Sequence, residues 1–377
     1  MNRIITILGI LAFLLASCSS GKKALQQGDY FSAVVKATDR LKSDPDNKNA
    51  TKVLKDGYQL AIDWSQEEMD LALSSNSVFK WEQAINLMQQ VNRLSDEIRS
   101  TPAARKMISN PKTYTSELNM AYEKAADERY NAGLTELNLN TRESAKRAYI
   151  HFMTANQFIS GYKNTAELMN AAKDLATVRV ILETMPVHSE KYRLSSEFFY
   201  NQIFEYLNNQ YGPQSFVDFY SPFQAEKESL ENPDLVVNVE FFDFSVGNLV
   251  HSEKEETVEK KVKLESRDTT KVEYKTYVAK LKTYSDQVKS GGNLRVRIAE
   301  PSTDKLLLDE LVPGSFTWVN DYAIFVGDTE ALDKKQLDLT KRKAVPLPAE
   351  QDLFIEFTKP IYSRLTASLN RFFRQYN

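Results

Sequence analysis

Few side chains in this sequence could do covalent, metal or acid–base chemistry: there is one cysteine, Cys18, and there are three histidines, His151, His188 and His251. A single thiol cannot close an intrachain disulfide, and one thiolate falls short of a structural zinc site. His188-Ser189-Glu190 and His251-Ser252-Glu253 both spell the opening of a zinc-deaminase motif, yet that chemistry also needs cysteine ligands, and none follows. Both histidines read as solvated loop residues, and His151, beside Phe152, reads as a satisfied helix side chain. No His-Glu-x-x-His pair, Gly-x-Ser-x-Gly elbow or phosphate-cradling glycine loop occurs. The sequence therefore offers no catalytic residue and no metal ligand, and it calls for no cofactor. A carboxylate-dependent glycan hydrolase stays open as an alternative, because paired acids would meet only in space.

The position of Cys18 gives its chemistry a different meaning. Met1-Asn2-Arg3 leads into an uncharged apolar run from Ile4 to Ala16, the n-region and h-region of a secretory signal. That run is short of the roughly 20 residues a transmembrane helix needs, and no later stretch approaches them. Leu15-Ala16-Ser17-Cys18 resembles the bacterial lipobox, whose cysteine thiol is alkylated by diacylglycerol before cleavage. The resemblance implies that residues 1–17 are a lipoprotein signal peptide and that Cys18 is lipidated. It also implies two or three acyl chains, where one alone binds a membrane only marginally. Ser19, where an aspartate would signal inner-membrane retention, implies the outer membrane. The lack of an acidic run in Ser19 to Lys23 implies a protein facing the periplasm.

A chain of 377 residues, 42% of them apolar, is long enough for about two domains. The net charge of −3 gives no electrostatic reason to bind nucleic acid. Residues 18–172 read as helical, with few prolines and apolar residues at helical spacing. Gly28-Asp29-Tyr30-Phe31-Ser32-Ala33 resembles the turn and second-helix start of a tetratricopeptide repeat, with Gly21 and Ala24 at the small positions of its first helix and Pro45 at its end. Lys80-Trp81-Glu82-Gln83-Ala84, continuing to Met88 and Val91, is a second copy, and Ala148, Phe152 and Ala155 mark a third. The copies lie 51 and 64 residues apart against a family period of about 34, and Arg40 stands where a small residue is expected. Thr101-Pro102 reads as a cap and a first-turn proline, and Asn164 with Glu167 as a capping box. Leu118, Tyr122, Ala125, Ala126, Tyr130, Leu134 and Leu137 form one apolar stripe, read first as core. If the repeats instead form a concave peptide groove, Tyr122 and Tyr130 are its candidate partner-binding residues.

Residues 173–377 read as mixed α/β with a largely antiparallel sheet. Thr177 to Leu182 is a strand, Leu194 to Leu207 a helix, Ser215 to Tyr220 a second strand, and Asp234 to Val246 a third with a bulge near Phe241-Phe242. A charged β-hairpin is expected near 253–290, with Tyr274 and Tyr277 as candidate partner-binding residues. Gly291-Gly292-Asn293 reads as a turn into a strand at Leu294 to Ile298. Further strands follow at Leu306 to Leu311 and Phe316 to Val326. A terminal helix, bent at Pro360, buries Leu353, Phe357, Ile361, Leu365 and Leu369.

This order resembles the periplasmic α/β domain of curli-export lipoproteins, penicillin-binding-protein activator lipoproteins and the amino-terminal domain of the Tol-Pal translocation protein. The residues that carry it are Val178 to Leu182, Pro233 to Val239 and Leu294 to Glu310; the charged hairpin departs from the pattern. The resemblance implies assembly or regulation in the cell envelope. The expected partners are a membrane, through Cys18, and envelope proteins, with homo-oligomers or an export channel as further outcomes. A channel is disfavoured because Tyr274 to Tyr284 lacks the clean alternation of a lipid-facing strand. Asp268-Thr269-Thr270 resembles a Bacteroidetes O-glycosylation acceptor, but a polar turn is the better reading of three such residues.

Overall fold

The computed structural model describes residues 21–186, 190–264 and 274–377; Cys18, His188 and Asp268-Thr269-Thr270 lie outside the described residues. The chain is mixed α/β: a helical part is followed by one five-stranded mixed sheet and a C-terminal helix. It divides into two compact units after Ala176.

The first unit holds α1 (Lys22–Gln26), α2 (Tyr30–Ser43), α3 (Lys48–Ser74), α4 (Lys80–Ser100), α5 (Pro102–Met107), α6 (Ser116–Asn138), α7 (Arg142–Phe158) and α8 (Thr165–Ala176). The breaks are written in short polar side chains. Asp29 caps α2 by accepting from the Ser32 amide at 3.2 Å, Asn47 caps α3 through the Ala50 amide at 2.9 Å, and Thr141 and Ser144 form a reciprocal box at the start of α7. Gly21 does not lie inside the first helix. It precedes α1 at φ +77°, where a Cβ would stand 2.3 Å from the Ala33 carbonyl oxygen, so the helix start requires glycine. Alanines carry the core: Ala33, Ala37, Ala84, Ala121, Ala125, Ala148 and Ala155 are fully buried, which lets helix backbones approach closely. The stripe on α6 buries Ala125 and Ala126, while Leu134 and Leu137 pack on Phe152.

The second unit runs β1 (Val178–Leu182), α9 (Arg193–Gln210), β2 (Val217–Tyr220), α10 (Pro222–Lys227), β3 (Leu235–Lys263), β4 (Tyr274–Glu300), β5 (Lys305–Gly327), α11 (Lys334–Thr340) and α12 (Glu350–Phe373). Sheet order is β2-β1-β3-β4-β5; β1 pairs in parallel with β2 and β3, and the rest is an antiparallel meander. Its main core packs Val180, Val237, Val296 and Ile298 from the sheet against Ile203 of α9 and Phe354, Phe357, Ile361, Leu365 and Leu369 of α12. Phe354 meets Phe241 and Phe357 at ring-centroid distances of 5.2 and 5.1 Å. Pro360 lies within α12, which continues through it.

Two expectations fail here. Gly291-Gly292-Asn293 is no turn but the middle of β4, paired with Asp243, Phe244 and Ser245 on one side and Pro313, Gly314 and Ser315 on the other. The glycines are there because of close approach: a Cβ on Gly292 would lie 2.3 Å from the Asp243 carbonyl oxygen. The strands expected at 306–311 and 316–326 are one strand, β5. Its interior Pro313-Gly314 sits under α12, where a Cβ on Gly314 would meet Ile361 Cγ1 at 2.4 Å. The turn at Ser302-Thr303-Asp304 does lead into it.

Candidate interaction surface on a three-stranded ribbon

Strands β3, β4 and β5 are far longer than the main core needs. Beyond Gly292 they continue as a ribbon, with Asn248–Lys263 paired to Tyr274–Lys289 and Ala279–Gly291 paired to Ser315–Gly327. Side chains on β4 alternate faces without interruption, so residue parity tells which side each one serves. Near the main core the even positions are buried: Leu294, Val296 and Ile298, and further out Val288. At the far end it is the odd positions Ala279 and Leu281, which join Ala323, Phe325 and Val258 in a second, small core under Leu332 and Leu337. One strand thus buries opposite faces at its two ends. Strand β3 follows through two register shifts, at Phe241/Asp243 and Ser245/Asn248, which re-aim its side chains. The first leaves Phe242 58% exposed between inward-facing Phe241 and Phe244.

The face opposite the far core carries, in order, Leu249, Val288 and Trp318; His251, Asp286 and Asn320; Tyr284 and Tyr322; Lys282 and Ile324; then Val326. Tyr284 and Tyr322 stack at 4.8 Å, and His251 Nδ1 lies 2.5 Å from Asp286 Oδ1. Lys282 pairs with Glu253 at 3.0 Å. Ile324 and Val326 are 56% and 79% exposed, and Leu249 is exposed as well. A histidine–carboxylate pair can orient an imidazole. Among the described residues, however, no group of three or more His, Cys, Asp or Glu could hold a metal ion. The surface is amphipathic, with aliphatic and tyrosine patches between charges.

Tyr274 and Tyr277 both lie on this ribbon. Tyr274 is exposed at the start of β4, whereas Tyr277 packs into the far core with Lys275 Nζ 4.6 Å from its ring. Tyr122 and Tyr130 are placed elsewhere, in the helical unit, each half-buried and engaged with neighbouring helices. The Tyr122 hydroxyl accepts from Gln89 at 2.8 Å and its ring lies 6.1 Å from Phe158. The Tyr130 hydroxyl donates to Asn164 Oδ1 at 2.8 Å, and Lys163 Nζ sits 4.4 Å over its ring. Tyr122 and Tyr130 thus belong to the first unit, and Tyr274 and Tyr277 to the second.

Sequence reading missed a polar node at the start of α4. Phe79 adopts φ +59°, rare for a bulky residue, and the Arg129 guanidinium lies 3.6 Å from its ring centroid. Arg129 also forks onto Glu82 and donates to His151 Nδ1 at 3.1 Å, which leaves the imidazole proton on Nε2. Burial, then the Arg129 charge, holds His151 below its ordinary pKa. Glu128, next in sequence, has its pKa raised by burial, and its Oε2 is shielded with no hydrogen-bond partner among the described residues. In the second unit, Ser195, Phe198, Thr358 and Tyr362 line a groove of about 440 Å³ between α9 and α12. Nearby, burial and the Glu350 carboxylate push the Tyr192 hydroxyl up to about 12.

No protein-family model and no curated protein matches this chain. Among solved structures it is similar to a neuraminyllactose-binding hemagglutinin homolog from Helicobacter pylori, at 13% identity and a TM-score of 0.26, over 53% of this chain and 90% of that one. A likeness that distant carries no argument about fold or function. Among the described residues no helix is long and apolar enough to cross a membrane.

Proposed function

We propose that the chain is a non-enzymatic lipoprotein, anchored through Cys18 to the outer membrane and facing the periplasm, that scaffolds or regulates a cell-envelope machine through protein–protein contacts. The observation that carries this reading is the ribbon: strands of 29, 27 and 23 residues that extend past the main core and present exposed Leu249, Ile324 and Val326 beside stacked tyrosines. The helix pairs of the first unit, read as degenerate tetratricopeptide-like hairpins, provide a second docking scaffold. Secretion or export and peptidoglycan synthesis are the two machines that suit such an adaptor.

The test is crosslinking in intact cells followed by capture of the protein, comparing wild type with an Ile324→Asp, Val326→Asp variant. Both positions are exposed, so the variant is expected to fold with an unchanged melting temperature and to lose a specific envelope partner. An identical set of captured proteins in both would overturn the role of this face. A Cys18→Ala chain is expected to leave the membrane fraction, and one that stays there would overturn the lipid anchor. Turnover of peptidoglycan by purified protein, abolished by a single Asp or Glu change, would overturn the non-enzymatic reading.

A further inference from the structure

Strand β3 uses one edge to pair with β4. Beyond Leu235, Val236 and Val237, which meet β1, its other edge has no strand against it among the described residues. An unpaired edge of this length offers a row of free backbone donors and acceptors, and proteins usually blunt such edges with charge. Here the charges are sorted into blocks. Glu253, Glu255, Glu256 and Glu259, with Lys254 the one cation among them, are followed by Lys260, Lys261 and Lys263. Within the chain only part of this charge is used. Glu253 pairs with Lys282 and Lys254 with Glu256, while Glu255, Glu259, Lys260, Lys261 and Lys263 have no ion-pair partner among the described residues. Apart from half-buried Glu256 and Val258, the whole run is exposed.

An acidic block followed by a basic block on one strand is complementary to itself when the second strand runs antiparallel. We infer that a second copy of this chain occupies the edge, the two β3 strands pairing antiparallel about a two-fold axis at Val258. In that register Glu253 stands opposite the partner's Lys263, Glu255 opposite the partner's Lys261 and Glu256 opposite the partner's Lys260, each twice by symmetry, and no like charges face each other.

The register is selective. A two-fold axis perpendicular to the strands keeps each side chain on its own face, so the axis must pass through a residue position. Moved to Thr257, it sets Glu255 against the partner's Glu259 and Lys254 against the partner's Lys260. Moved to Glu259, it sets that carboxylate against its own copy. Opposed opposite charges favour strand pairing and opposed like charges disfavour it, so the block pattern admits one register and rejects its neighbours. The joined edges would continue the sheet from one subunit into the next.

Self-association needs no envelope partner, so its failure leaves the proposed envelope role standing. Sedimentation of the full chain in detergent at low salt tests it directly. Wild type is expected to dimerise, more weakly as salt rises. Glu253→Lys with Glu255→Lys, and separately Lys261→Glu with Lys263→Glu, should each raise the dimer dissociation constant by about tenfold or more. Mixing the two variants should restore a dimer of one copy of each, which neither misfolding nor general loss of affinity could produce. In a Cys18→Ala background, Val258→Cys should crosslink to its own copy through a short bismaleimide, whereas Val250→Cys, roughly 50 Å from its copy in this register, should not. A wild-type monomer at every concentration, a dimer indifferent to both reversals, or failure of the mixture to pair would overturn the proposal.

Discussion

The helical unit and the α/β unit solve the packing problem with opposite materials. In the first, helices close on alanines set among larger residues such as Leu41, Leu54 and Ile98, and a polar node adds to the packing: the Arg129 fork onto Glu82, the His151 ring and the Phe79 face. In the second, a sheet and two long helices enclose a mass of phenylalanine and branched aliphatic side chains, with polar bonds pushed to the rim, such as Arg364 donating to the Pro313 carbonyl oxygen at 2.7 Å. A core of large side chains is vulnerable to what is taken away. Helices brought close by alanine are vulnerable to what is added, and half-buried Glu128 and His151 make the unit sensitive to pH.

The contrast is sharpest in substitutions. Phe357→Ala, at a fully buried ring, is expected to cost about 3–5 kcal/mol in chemical unfolding of the α/β unit; a loss below about 1 kcal/mol would break the comparison. Ala125→Leu, adding atoms where none fit, is expected to cost about 1–3 kcal/mol in the helical unit, and a neutral result would show that its helices can separate freely. Smaller effects come from the polar node. Because burial raises the Glu128 pKa above its ordinary 4.5, the folded state holds that proton longer than the unfolded chain does, and stability falls as pH rises through this range. Glu128→Gln should therefore raise the melting temperature at neutral pH, with the gain vanishing below about pH 4.5. The sign reverses for His151, whose pKa is lowered from 6.5: stability present above that value is lost as pH falls toward its folded pKa. His151→Gln should flatten the melting temperature between pH 7 and pH 5, and an unchanged slope would remove His151 from the account.

Much of the α/β unit was legible because alternation and helical spacing are local signals. Val178–Leu182, Leu294 to Ile298 and the buried face of α12 can all be read from residue types alone, and the Phe241-Phe242 slip marks a real register shift. Glycine misled, since the same residue serves a turn and a close approach, and only the neighbouring strand at Phe244 tells them apart. Short helices α10 and α11 went unread although Ser221 with Gln224 and Asp333 with Gln336 spell their capping boxes. The charged hairpin near 253–290 is present as the outer parts of β3 and β4, but its continuity with the inner strands was hidden because Gly291-Gly292 reads as a break. His251 and Asp286 meet only through a register that no single segment encodes, and Arg129 and Glu82 likewise lie 47 residues apart.

The meander has a kinetic consequence. Strands β3, β4 and β5 join sequence neighbours, so each pair can zip outward from its own connection, whereas β1 must wait for α9 to cross over before β2 arrives beside it. Since β4 is central to both the main core and the far core, its amides should gain protection first during refolding and Val178 to Leu182 last. The long strands then act as the template on which the parallel edge of the sheet is assembled.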